Sequence, residues 1–224
     1  MKKVSITFIL MLLIGAGFAQ DIRFYKKLNA FCEKRLSEFE GIDKGRILIL
    51  DSIAQSISAH RSLSNKVMVG CETNTRRTQL TSIWLQTALN YYGIYDVFVF
   101  SGGNTAQQVN MNVFEQLKKS GFVVEYLEDK AVVSLSKNLS TYMYYSKGLH
   151  DAMNPKDNYI GINVCSGKEY FKLNGIENFN LPFENLKFYD KTPSEKYVNT
   201  QLNLQISKEM MYLAHKIKQL ANVK

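Results

Sequence analysis

From Lys66 onward, short apolar runs and longer helix-periodic runs take turns, and this alternation restricts the chain more than any other feature of its sequence. Val67-Met68-Val69 reads as a short strand, followed by a loop and a helix carrying Leu80, Ile83, Trp84, Ala88 and Tyr91 on one side. A strand over 97–100, a glycine turn at Gly102-Gly103 and a helix from about 109 to 120 ending at Gly121 come next. Such a β-α-β-α succession requires parallel strands joined by helical crossovers. The Val-, Tyr- and Ser-rich stretch 122–145 suits one core strand plus an edge hairpin, and Tyr142, Met143, Tyr144 and Tyr145 either pack that hairpin or border a substrate cleft. A final strand is expected over 159–164, and Ile206, Met210, Leu213, Ala214, Ile217 and Leu220 mark a long closing helix. Upstream, Phe24, Leu28, Phe31, Cys32, Leu36 and Phe39 recur at helical spacing. A second helix, with Asp43 as N-cap, buries Leu50, Ile53 and Ile57. The prediction is an α/β unit over 66–224 with a helical extension over 20–65.

The first residues carry a different signal. Lys2 and Lys3 precede an apolar stretch over 4–14, and small residues at Gly17 and Ala19 stand just before Gln20. That is the layout of a secretory signal peptide over 1–19, and the stretch is shorter than the roughly 20 residues of a membrane-spanning helix. Cleavage after Ala19 would leave an exported, periplasmic protein with no stable membrane insertion; an uncleaved anchor is the other reading. The net charge of +8 is spread along the chain, with no nucleic-acid motif beside it. Cys32, Cys71 and Cys165 are odd in number, so one thiol stays free unless it pairs between chains. Cys32 lies on an apolar stripe and reads as a buried small hydrophobe, with a redox partner for another thiol as the other reading.

Chemistry is expected in the loop between the first strand and its helix. Such a loop gathers backbone amides and the positive end of the helix dipole at one spot, which attracts anions. A thiol there, Cys71, would have a depressed pKa and serve as a nucleophile. Arg77, after five intervening residues, offers the parallel donors that match two oxygens of a tetrahedral oxyanion.

The loop as a whole, Cys71-Glu72-Thr73-Asn74-Thr75-Arg76-Arg77-Thr78, resembles the Cys-x-x-Asn-x-x-Arg-Ser/Thr loop of the low-molecular-weight tyrosine phosphatase and arsenate reductase superfamily. Phe100-Ser101-Gly102-Gly103-Asn104, Val109-Asn110 and Leu117-Lys118-Lys119-Ser120-Gly121-Phe122 are similar to further elements of it. The likeness extends to Bacteroidota proteins with Asn-Ser-Arg-Arg-Ser in the loop and added N-terminal helices. It implies a flavodoxin-like four-stranded parallel sheet with flanking helices, a phosphate cradle over 72–78 and no cofactor. Cys71 would attack phosphorus or arsenic, Arg77 would hold the oxyanion and Asn74 would fix the loop in a left-handed conformation. Thr78 would donate to the Cys71 sulfur. Arg76 would either charge the mouth of the site or be a solvated surface residue. The implied activity is hydrolysis of phosphotyrosine or a small phosphomonoester through a phosphocysteine, with arsenate reduction as the enzymatic rival.

Two departures weaken a simple transfer. Hydrolysis needs a proton donor for the leaving oxygen, and the Asp-Pro that supplies it in this superfamily is absent. Asp190 and then Glu184 are the candidates, and a site without a carboxylate acid, binding oxyanions with little catalysis, is the third reading. Arsenate reductases of the superfamily relay oxidation through further cysteines. Cys165 resembles the first of these, while Lys172 stands where the next is expected, so Cys165 is either the redox partner of Cys71 or a buried strand-end thiol. His60, His150 and His215 lack ligand spacing and no metal is assigned, with His60 placed in a loop and His215 on the exposed side of the closing helix.

Overall fold

The computed structural model describes residues 24–128, 130–137, 141–167 and 173–221. The leader over 1–19 and Lys172 lie outside them. Five α-helices and seven strands are described: α1 (Lys26–Leu36), α2 (Lys44–His60), β1 (Lys66–Cys71), α3 (Arg77–Tyr91), β2 (Phe98–Gly103), α4 (Asn112–Ser120), β3 (Val123–Leu127), β4 (Lys130–Ser134), β5 (Thr141–Tyr144), β6 (Ile160–Asn163), β7 (Glu177–Asn180) and α5 (Glu195–Ala221). The expected four-stranded parallel sheet is present, in the order β2-β1-β6-β7. Its topological switch falls between β1 and β6, whose carboxyl ends therefore face the crevice where open α/β sheets bind ligands.

Local chemistry explains the principal boundaries. Asp43 caps α2, its carboxylate accepting from the Arg46 amide at 3.2 Å. Gly121 ends α4 at φ 106°, and a Cβ there would stand 2.4 Å from the Leu28 backbone nitrogen, so glycine is needed for both conformation and close approach. Leu28, Cys32, Leu50, Ile53 and Ile57 of the helical extension join the same buried cluster as Val67, Val69, Ile160 and Ile162 of the sheet. Trp84 organises this core, stacking on Phe31 at 5.2 Å and meeting Phe122 edge-on at 5.0 Å, while its indole N–H donates to Asn203 at 2.8 Å. Truncation of such a ring costs about 3–5 kcal/mol.

Several expectations need correction. Gly102 and Gly103 are the last residues of β2, paired with Gly70 and Cys71, rather than a turn. The 122–145 stretch contributes no core strand to the parallel sheet: β3, β4 and β5 form a separate antiparallel sheet, in which the central β4 alternates buried with half-buried positions and so has one face to bury. The fourth parallel strand is instead β7, a polar run whose pattern hides it, so β6 is not the last. Nor is α3 amphipathic, since every residue from Arg77 to Asn90 is buried. Part of its polar side bonds outward, Gln86 donating to the Val97 carbonyl just before β2 at 3.2 Å and Asn90 to the Tyr142 hydroxyl of the second sheet at 2.7 Å. His60 ends α2, its ring 3.0 Å from the Ser56 carbonyl. His215 is half-buried against Phe39 and Tyr92, and burial, then Lys216, lowers its pKa.

Candidate active site

The loop over 71–78 joins β1 to α3 at the switch point. Asn74 adopts φ 47°, the left-handed conformation expected of it. Its buried side-chain amide donates to the Lys147 carbonyl at 3.1 Å, and Gln79 from the first turn of α3 donates to the Asn74 carbonyl and side-chain oxygen, each at 3.2 Å. A second segment lies along the loop's outer edge: the amides of Asn104, Thr105, Gln107 and Asn110 donate to the carbonyls of Cys71, Glu72, Thr73 and Thr75. Those carbonyls are thereby engaged. Gly103 allows the approach, because a Cβ on it would stand 2.8 Å from the Asn74 nitrogen and 2.9 Å from the Thr73 carbonyl carbon.

Cys71 and Cys165 are joined by a disulfide, with Cα atoms 5.0 Å apart. Sheet register explains the meeting. Gly70 pairs with Asn163 across β1 and β6, the Val164 amide donates to the Gly70 carbonyl at 2.9 Å, and each cysteine comes next along its strand direction. The Cys165 backbone amide is held by the Asn163 side chain at 3.1 Å, and the Cys165 sulfur accepts from the Glu72 amide at 3.1 Å. A disulfide sulfur cannot titrate, so the depressed thiol expected of Cys71 belongs to the reduced protein. Cys165 is thus no inert strand-end thiol. Cys32 is the free cysteine and is fully buried, as expected; burial, eased by Arg35 and reinforced by Glu33, pushes its thiol up to about 12.

Arg77 opens α3 with its guanidinium donating to the Ser166 hydroxyl at 3.1 Å and the Phe183 carbonyl at 3.2 Å. Both partners follow the carboxyl end of β6 or lie on the 181–190 segment, so the arginine spans the mouth from the loop to that side. Arg76 is neither solvated nor free at the mouth: its side chain is only 9 % exposed and forms an ion pair with Asp190. Asp190 is therefore beside the site, held to the loop rather than standing as a plain turn residue. Arg76, Arg77, Thr73 and Thr75 form one wall of an open cleft of roughly 350 Å³, and Asn185, Lys187 and Asp190 form another. Glu184 is exposed, outside that lining. The predicted Thr78 bond to sulfur is not made, since its buried hydroxyl has no hydrogen-bond partner. A hydroxyl donates well to a thiolate, and the disulfide offers none. Among the described residues no cluster could hold a metal ion, and no helix is long and apolar enough to cross a membrane.

Gln79, Ser166 and the Phe183 carbonyl were not expected in the site. Gln79 falls one position past the loop motif and reads as an ordinary helix residue; Phe183 acts through its backbone, which side-chain patterns do not report.

No family model and no curated protein matches the chain. Similar solved structures include one from Archaeoglobus fulgidus DSM 4304, 14 % identical over 66 % of this chain and 98 % of that one, with a TM-score of 0.47. A second, in a phosphate-binding state, is 16 % identical over 68 % of this chain and 98 % of its own, with a TM-score of 0.41. A third, thioredoxin-dependent and from Corynebacterium glutamicum, is 18 % identical over 87 % of this chain and 97 % of its own, with a TM-score of 0.42. All three are arsenate reductases.

Proposed function

We propose that this chain is a two-cysteine reductase of a tetrahedral oxyanion of the arsenate type. The observation that carries the reading is the pairing of Cys71 with Cys165 at the start of the loop between β1 and α3, with the Glu72 amide on the Cys165 sulfur. In the reduced protein the Cys71 thiolate attacks arsenic and a protonated oxygen leaves as water, forming an S–As(V) bond. The Cys165 thiolate then attacks the Cys71 sulfur. The S–S bond forms, the S–As bond breaks, and its electron pair stays on arsenic, which departs as arsenite. The product disulfide is the state described above, and an external dithiol must return it to two thiols while becoming oxidised itself. Arg77 and the loop amides stabilise the oxyanion in each step.

The deciding experiment is thiol-coupled arsenate turnover by wild type, Cys71→Ser and Cys165→Ser. Turnover lost in both variants supports the reading, and turnover retained without Cys165 sinks it. One observation favours a second reading: Asp190 lines the same cleft as Arg77, where it could protonate a leaving alkoxide. The protein would then be a phosphatase acting on phosphotyrosine or a small phosphomonoester, with the disulfide as its oxidised, inactive form. Turnover of p-nitrophenyl phosphate surviving in Cys165→Ser identifies that activity. Phosphate binding without turnover of either substrate leaves an oxyanion-binding protein. We further propose export to the periplasm, on the strength of Lys2, Lys3 and the apolar stretch before Ala19. A mature N-terminus at Gln20 in the periplasmic fraction, read by mass spectrometry, is the expected result, and a chain retained in the cytoplasmic fraction with Met1 intact contradicts it.

A further inference from the structure

We propose that Arg46, on the helical extension, is a positioning residue for Arg77; what Arg77 does for the substrate rests on the oxyanion reading above. Arg46 lies in the first turn of α2 and grips Glu209 of α5 with two donors, its Nε reaching Oε1 at 2.8 Å and its Nη2 reaching Oε2. Glu209 is buried and takes a further bond from Gln205 at 3.0 Å, so the carboxylate is a fixed post. The remaining terminal nitrogen, Nη1, donates to the Pro182 carbonyl at 2.8 Å. The flat face of the same guanidinium lies 4.7 Å from the centre of the Phe183 ring.

Those two contacts fall on the segment that holds Arg77. Phe183 is buried, its amide donates to the Val164 carbonyl at 3.2 Å, and its own carbonyl accepts from Arg77 at 3.2 Å. The chain at 182–183 is therefore fixed by Arg46 on one carbonyl and one ring, and by the end of β6 on one amide. The carbonyls that Arg46 and Arg77 hold belong to adjacent residues, Pro182 and Phe183. An arginine recognises a tetrahedral oxyanion through a fork of fixed geometry, so its direction matters as much as its charge. Residues outside the reacting shell that fix such a direction decide how much of the binding energy is realised. The extension thus reaches the anion site through one guanidinium.

A merely structural role is the competing account, because removing Arg46 alone strands a buried carboxylate. The test therefore uses Arg46→Met combined with Glu209→Gln, which removes both charges, and Asp51→Asn as control. Asp51 binds the Tyr212 hydroxyl at 3.0 Å across the same α2–α5 interface and does not touch 182–183. Two readouts are taken on the reduced full chain: phosphate protection of Cys71 against iodoacetamide, and the NMR signal of the Arg77 side-chain Nε–H. The double variant should melt cooperatively, shift the Arg77 signal and weaken phosphate by about tenfold or more, whereas Asp51→Asn should do neither. If the double variant does not fold, Arg46→Lys, which keeps a charge beside Glu209 but loses the flat fork, is read in the same way. An unmoved Arg77 signal with wild-type phosphate affinity overturns the proposal, as does an equal loss in Asp51→Asn. If wild type itself shows no phosphate protection, the oxyanion role of Arg77 fails separately, and the Arg77 signal alone decides whether Arg46 positions it.

Discussion

The backbone amide of Glu72 donates to the sulfur of Cys165 at 3.1 Å. That sulfur is bonded to Cys71, so it stands where an attacked phosphorus or arsenic atom would stand, and it takes one of the loop's donors as well. Disulfide and oxyanion must exclude each other. Reduced wild type should bind phosphate, and the oxidised protein should bind at least about tenfold more weakly, a difference of 1.4 kcal/mol. Calorimetry on both redox states checks this, and equal affinity would place the anion elsewhere.

Arg76 and Asp190 should behave as one unit. The arginine side chain is 9 % exposed and the carboxylate 35 %, so Asp190→Asn leaves a largely buried guanidinium without its counter-charge, at a cost of about 1–2 kcal/mol. Arg76→Met in the same chain should recover part of that loss, with a coupling of about 1 kcal/mol in a denaturant double-mutant cycle. If the phosphatase reading holds, Asp190→Asn also slows esters with poor leaving groups by on the order of 10² and activated aryl esters less, and Arg76→Met shares the defect. Both variants staying within about threefold of wild type, with Cys71→Ser inactive, would remove Asp190 from the mechanism.

Gly103→Ala should damage the loop specifically. The new methyl would meet backbone atoms of Thr73 and Asn74, which cannot swing aside as a side chain could. Overpacking of this kind costs about 1–3 kcal/mol. Thermal unfolding should show that loss, and phosphate protection of Cys71 should weaken further than stability alone explains. Gly93→Ala is the comparison, since nothing lies within 4 Å of its Cβ position although its φ of 71° strains any side chain. It should lose stability without a loss of anion binding.

Cys32 should stay silent until the protein unfolds. Burial raises its thiol from 9.0 to about 12, so the folded protein holds this proton more tightly than the unfolded chain. Its contribution to stability is then complete below pH 9.0 and is lost as pH climbs from there towards about 12. A thiol-reactive chromophore should find no accessible thiol in the oxidised native protein and Cys32 alone after unfolding. Cys32→Ala should lose less stability than wild type as pH rises above 9.0. Reaction of native wild type at neutral pH would contradict the burial.

What could be read beforehand divides along physical lines. The parallel sheet was legible because β1 and β6 are short buried runs and because α3 follows a loop with Asn74 and Arg77 at telling positions. Even the disulfide left a signal, since Cys71 and Cys165 both stand at the carboxyl ends of such runs; what the sequence lacks is the register that makes them neighbours. β7 was missed because Glu177-Asn178-Phe179-Asn180 has neither alternation nor an apolar run, and its strand character comes wholly from pairing with β6. The second sheet was misjudged for the opposite reason, as Val123, Val124, Val132 and Val133 are equally suited to a core strand. Arg76 deceived because arginine beside a loop is commonly solvated, and the carboxylate that buries it lies far along the chain at Asp190.

The helix after the loop is enclosed on every side from Arg77 to Asn90. A rod so encased cannot swivel or slide, and it anchors the far end of the loop whose near end is locked into the central strand β1. The two halves of the disulfide are consequently unequal in freedom. Cys71 rides on the stationary half, while Cys165 lies just past the last paired residue of β6, two positions before Gly167 at φ 64°. Under the proposed reduction, the travel that separates the sulfurs falls to the Cys165 side.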